Sequence, residues 1–255
     1  MTYLGVALVV LGSGLGAGAL SWVTRKLIRI EALRRHHEIG SAVFLQLGVV
    51  FAVLLAFVFN EVWSEYNSAA NAINKECGNL HGIAMLASTL PPAQRNEVEG
   101  AVLAYLAAVI DSEWAAMVRR HSSEEALVRF QRLTTALTML NPEDSTQQAT
   151  RNEMLALLTQ AHQDRETRLF QMMQGVPGVL WGLLISLGVV MIGFLLCFGI
   201  EYVWSQVIFT GVFAASIAFV LVMVRLFDFP FEGALRLSSS DFQITRERVI
   251  QIGSD

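Results

Sequence analysis

With 255 residues, 54% of them hydrophobic and only 16% charged, and a mean hydropathy of +0.49, the chain is too apolar for an ordinary soluble domain. A formal net charge of −4 and the lack of any DNA- or RNA-binding signature argue against nucleic acid as a partner. Two cysteines, Cys77 and Cys197, lie in different segments and make no disulfide framework, and no metal site or cofactor is expected.

The apolar residues gather in four windows, residues 3–23, 40–59, 177–200 and 203–227, each near the ~20 residues needed to cross a bilayer. None carries a charge near its middle. Gln46 lies inside the second, and Arg225, at the end of the fourth, can reach the interface. The first window lacks a basic leader and is too long for a signal peptide. Its Gly12, Gly14, Gly16 and Gly18 predict close packing of small residues between helices. No Lys-Ser/Thr follows them, which excludes a phosphate loop.

Between the first two windows runs a basic connector with Arg25, Lys26, Arg29, Arg34 and Arg35. Ile28, Ile30, Leu33 and Ile39 give it a partial apolar face suited to the membrane interface. His36 and His37 follow; neighbouring positions do not share a helix face, so an ordinary juxtamembrane cluster is the simpler reading than a metal or pH site.

Beyond the second window the polarity rises but the helical period continues. Val62, Tyr66, Ala69, Ile73, Cys77, Leu80 and Ile83 follow a three-four spacing, and no Pro or Gly interrupts before Cys77. One helix over residues 40–88 is predicted, roughly 70 Å long. Pro91 and Pro92 end it. A second helix carries Val98, Val102, Tyr105, Val109, Glu113, Ala116 and Met117. Ser122 and Ser123, followed by Glu124 and Glu125, read as a cap opening a third, with Leu127, Phe130, Leu133, Leu137 and Leu140. Asp144 or Ser145 opens a fourth, with Met154, Leu157, Leu158, Ala161, Leu169 and Met172. Pro177 is well placed to start the third span. The expected fold is therefore all-α: four transmembrane helices with a helical soluble domain inserted between spans two and three. The expected division is 1–60, 61–175, 176–227 and a polar tail, 228–255, which either packs on the soluble domain or stays loose.

Catalytic motifs are missing: there is no G-x-S-x-G elbow, P-loop or H-E-x-x-H, and His81, His121 and His162 fall on different segments. Asp164, Arg165, Glu166 and Arg168 read as a solvated helix face with local ion pairs. An enzyme is not expected. Leu45, Val49, Val53 and Phe57 repeat every four residues along the second span, with Gly48 and Ala52 beside them. This stripe either packs on the chain's own spans or lines a narrow apolar neck in a ring of subunits. Glu61 and Glu65, one turn apart just beyond it, are surface charges, members of structural pairs or charges at a pore mouth.

The run from Phe44 through Gln46, Gly48, Phe51, Phe57, Asn60, Glu61, Trp63 and Glu65 to Asn67 resembles the bestrophin-like domain family of bacteria and plants. So do Glu113 and Trp114, Arg165 and Arg168, Trp181, and the string Asp228, Phe229, Pro230, Phe231, Glu232 and Gly233. That family is similar, more faintly, to the bestrophins, pentameric anion channels. The resemblance implies an oligomeric ion channel, anion-conducting, with small inorganic ions and further copies of itself as partners in a lipid bilayer, and a neck at Leu45, Val49 and Val53. Three departures stand out: the neck is aliphatic where bestrophins are aromatic, the basic connector is unexpected, and only Asp228, Glu232 and Asp241 remain of the acidic calcium clasp. The last argues against calcium gating. The alternative is a non-conducting scaffold or sensor that binds a partner through its soluble helices. A bacterial inner membrane is expected. The early basic connector favours the cytoplasm and so an extracytoplasmic soluble domain, whereas the bestrophin likeness places that domain in the cytosol.

Overall fold

The computed structural model describes residues 2–27, 37–198 and 200–254. Arg29, Arg34, Arg35 and His36 lie outside the described residues, as does the side chain of His37, so the reading of the connector and its histidine pair lies outside them too. Helices account for nearly all of the described residues, and no strand occurs among them. The chain divides into two compact units.

The first unit comprises Met1–Ser64, Gly175–Asp228 and Gly233–Leu235. Its helices are α1 (Tyr3–Leu27), the first half of α2 (His37–Ala87), α7 (Gly178–Cys197) and α8 (Val203–Phe227). Helices α1 and α8 run antiparallel in close contact. A Cβ on Gly211 would lie 2.9 Å from the Gly14 carbonyl oxygen, and one on Gly14 would lie 3.0 Å from that of Gly211. Only hydrogen fits at both positions, the device by which small residues bring membrane helices together. Gly12 and Gly16, on the same helix, meet nothing within 4 Å, so half of the glycine series packs and half does not. Phe51, Val58 and Val62 of α2 join Leu184 and Met191 of α7 and Val224 of α8 in a buried cluster. Buried Gln206 on α8 directs its amide nitrogen 3.4 Å from the carbonyls of Leu195 and Leu196, covering the open end of α7. Asp228, buried just past α8, accepts from the Val176 amide at 2.6 Å and anchors the entry to α7.

The second unit comprises Glu65–Gln174, Phe229–Glu232 and Arg236–Asp255. It holds the second half of α2, α3 (Pro92–Ala108), a π-helical turn (Val109–Glu113), α4 (Trp114–Met117), α5 (Glu124–Thr138), α6 (Ser145–Met173) and α9 (Ser240–Ser254). The stripe anticipated from spacing is buried without exception along α3, the π turn and α4, from Val98 and Val102 through Tyr105, Val109 and Glu113 to Ala116 and Met117. Ala69, Ile73, Cys77, Leu80 and Ile83 of α2 meet it in the same core. Leu127 of the α5 stripe is 41% exposed, whereas Phe130, Leu133 and Leu137 are buried. The caps form as read: Ser123 Oγ accepts from Ala126 N at 3.3 Å, and Asp144 Oδ1 from Gln147 N at 2.7 Å. After α4 the chain reverses at Arg120, whose φ of 59° lies in the left-handed region. That conformation is held from outside, because the Arg120 guanidinium bonds Glu232 at 2.7 Å and lies 3.8 Å from the Phe229 ring centre. Beyond residue 228, Phe231, Phe242 and Val249 enter the core of this unit.

Candidate functional site

The candidate neck lies on the first half of α2. Leu45 is 70% exposed, Val49 59% and Val53 49%, and Phe57 continues the same path. The opposite face, Phe44, Leu47, Phe51, Leu54, Leu55 and Val58, packs into the chain's own spans. Gly48 belongs to that packed side, with Met191 Cε 3.4 Å from where its Cβ would be. Among the described residues, the stripe faces away from the core of its own unit. Ala52, Ala56 and Asn60 are exposed beside it, and their small size lets a neighbouring helix approach. Glu61 is exposed and Glu65 half-buried.

A second constellation lies in the core of the other unit, and sequence reading missed it. Arg165 and Arg168, expected on a solvated face, are 2% and 0% exposed. Arg168 donates from Nε to Glu76 Oε2 at 2.9 Å and from Nη2 to Glu113 Oε2 at 2.7 Å, while its Nη1 rests 2.9 Å from Met117 Sδ. Arg165 Nη2 donates to the other Glu113 oxygen, and Tyr105 Oη to Glu76 Oε1. The rings of Phe242 and Trp114 flank the Arg168 guanidinium at 5.3 and 5.7 Å. Burial works against the charge on Arg168, but Glu76 and Glu113 outweigh it and hold its pKa well above the usual arginine range. Burial, reinforced by Glu76, pushes the Tyr105 phenol well above its ordinary value, so it stays a donor. Two carboxylates and two guanidiniums balance in charge. The arrangement is closed, since the side chains of Glu76, Glu113 and Arg168 are all 0% exposed and no substrate reaches them. Its chemistry is that of a clasp joining α2, the π turn and α6.

The π turn is part of that clasp. A π bulge is a costly local irregularity found often where a side chain has to be aimed. Here it ends on Glu113. The available sequence signal was Glu113 itself, the one acidic residue in an otherwise apolar stripe. Among the described residues no three His, Cys, Asp or Glu side chains gather to hold a metal ion.

Among the described residues, five helices are long and apolar enough to cross a membrane: α1, α2, the stretch Pro92–Met117, α7 and α8. With the all-helical architecture, they define a multi-pass membrane protein. The chain belongs to the family of the Bestrophin-like domain, whose model matches residues 13–242. Its fold is similar to that of a variant of a bacterial bestrophin homologue from Klebsiella pneumoniae (14% identity, TM-score 0.76, covering 96% of this chain and 98% of that one). A second variant of that homologue matches at 11% identity and TM-score 0.73, again over 96% and 98% of the two chains. A crystal structure described as that of a membrane protein matches at 13% identity and TM-score 0.75 with the same coverage. At these identities the likeness is one of fold. No curated protein matches the sequence.

Proposed function

We propose that the chain is one subunit of an oligomeric membrane ion channel in which Leu45, Val49 and Val53 of each copy surround a narrow apolar neck. The observation that carries this reading is the exposure of the stripe on α2 while the opposite face of the same helix is packed. An apolar ring a few ångströms wide sheds water and so opposes ion passage until it widens. Four spans serve this arrangement: α1, the first half of α2, α7 and α8. The fifth apolar stretch, Pro92–Met117, is the most buried of the five and carries Glu113 into an ion pair, which suits a soluble core better than lipid.

The family supports a channel; passage of anions and assembly as a pentamer follow from the bestrophin likeness alone. Glu61 and Glu65 would sit beyond the neck and favour cations locally, so selectivity is set elsewhere if anions pass. The bacterial inner membrane is the proposed location, with the helical domain between spans two and three on the extracytoplasmic side.

Cryo-electron microscopy of the protein in lipid nanodiscs tests the assembly. A ring with the three side chains facing an open axis supports a channel, and bilayer recording with a chloride gradient then reads the sign of the permeant ion. An axis filled by lipid, or a monomer, leaves the non-conducting scaffold as the function.

A further inference from the structure

We infer that the cleft between α1 and α8 is a binding site for one anionic phospholipid. The cleft encloses about 570 Å³. Its floor is the Gly14, Gly18 and Gly211 contact, its walls include Leu11 and Ala19, and Trp22 and Trp204 stand at one end. Apart from the two indole nitrogens, no lining side chain can hydrogen-bond, which suits a hydrocarbon chain and excludes a polar metabolite.

Length and charge select the occupant. From Trp22 to Leu11 the cleft follows eleven residues of α1, roughly 16 Å of helix. That is about half of the ~30 Å hydrocarbon thickness, the depth of one leaflet. Exposed Trp22, Trp204 and Tyr202 mark the headgroup level at the open end. Beyond them, Lys26 Nζ lies 3.7 Å from the Trp22 ring centre, and Arg25 Nη2 donates to the Glu201 carbonyl at 3.4 Å. Arg25 Nε is shielded from solvent and makes no hydrogen bond. With the Glu201 carboxylate nearby in the chain, the mouth carries a net positive charge and an unused guanidinium donor. A phosphodiester there meets both cations while one acyl chain fills the cleft. The inference rests on the membrane placement of α1 and α8 and not on conduction.

Native mass spectrometry of the delipidated oligomer tests it, with phosphatidylglycerol and chain-matched phosphatidylcholine as probes. The wild type should retain phosphatidylglycerol in preference to phosphatidylcholine. Lys26→Gln should weaken that preference about fivefold, the effect of one basic side chain at an anionic surface. Ala19→Phe fills the cleft from its exposed side and should abolish retention at unchanged oligomer mass. Equal retention of the two lipids, or undiminished phosphatidylglycerol on the Ala19→Phe protein, overturns the assignment. Displacement by millimolar inorganic phosphate does too, since it reduces the site to a headgroup contact. A change of oligomer mass in Ala19→Phe would mean that a second copy of the chain covers the cleft, and also overturns it. A channel that proves silent leaves the lipid result standing.

Discussion

Arg168 and Glu113 form an ion pair at 2.7 Å with both side chains sealed from solvent, and the same guanidinium holds Glu76 at 2.9 Å. Breaking one side of such a pair leaves an uncompensated buried charge, at a cost of about 3–5 kcal/mol. Arg168→Met should therefore lower the Tm of the purified protein by roughly 6–20 °C. Adding Glu76→Gln to it should recover part of that loss, because that stranded carboxylate is gone while Glu113 keeps its pair with Arg165. A double variant less stable than Arg168→Met alone would show that the charges are not what couples these helices.

Both carboxylates come from helices whose spacing was readable, yet their meeting was not. Glu76 and Arg168 are 92 positions apart, Glu113 and Arg168 are 55 apart, and each residue alone looks like a surface charge. Periodicity reports which face of a helix is apolar, so the core stripes of α2, α3 and α6 were legible. It says nothing of a charge turned inward, since the partner that makes burial tolerable lies on another helix. In α6 the charged run from Asp164 to Arg168 concealed two residues that belong to the core. The exposed stripe of α2 was legible as a stripe, but which way it faced depended on tertiary packing.

The glycines of α1 and α8 give a paired test. Gly211→Val would set a Cβ 2.9 Å from the Gly14 carbonyl oxygen, a backbone atom that cannot turn aside. A loss of about 1–3 kcal/mol, typical of overpacking, is expected and would appear as earlier thermal unfolding in detergent. Gly16→Ala meets nothing and should be neutral, or stabilising by up to about 1 kcal/mol through helix propensity. Equal damage from both would contradict the close approach of α1 and α8.

At the candidate neck, Val49→Ala and Val53→Ala should each raise single-channel conductance by widening the constriction. Val49→Asn should raise the open fraction by wetting it. Currents identical to wild type in all three variants would remove these residues from the conduction path.

Burial pushes the Cys77 thiol up to about 12 from an ordinary 9.0; a hydrogen bond with Thr245 acts in the opposite direction, and Glu76 and Asp241 add to the rise. Cys77 therefore stays a protonated, unreactive thiol where a free cysteine is half ionised. Peptide mapping after maleimide treatment at pH 8.5 should find Cys77 unmodified until the protein is denatured. The folded state keeps this proton while the unfolded chain gives it up. The Cys77 contribution to stability is thus complete below pH 9 and declines between pH 9 and 12. Rapid labelling of the native protein would indicate that this part of the core opens readily.

The π turn at Val109–Glu113 has an arithmetic consequence. Such a turn amounts to one surplus residue in an otherwise continuous helix, and each residue of an α-helix accounts for about 100° of rotation. Deleting Asp111 would leave a helix of ordinary regularity, with no strain and no missing backbone bond. Everything on one side of the deletion would nonetheless be turned by more than a quarter of a revolution against the other. Either Tyr105 or Glu113 would then lose its place beside the clasp, so this helix can gain local order only by losing its alignment.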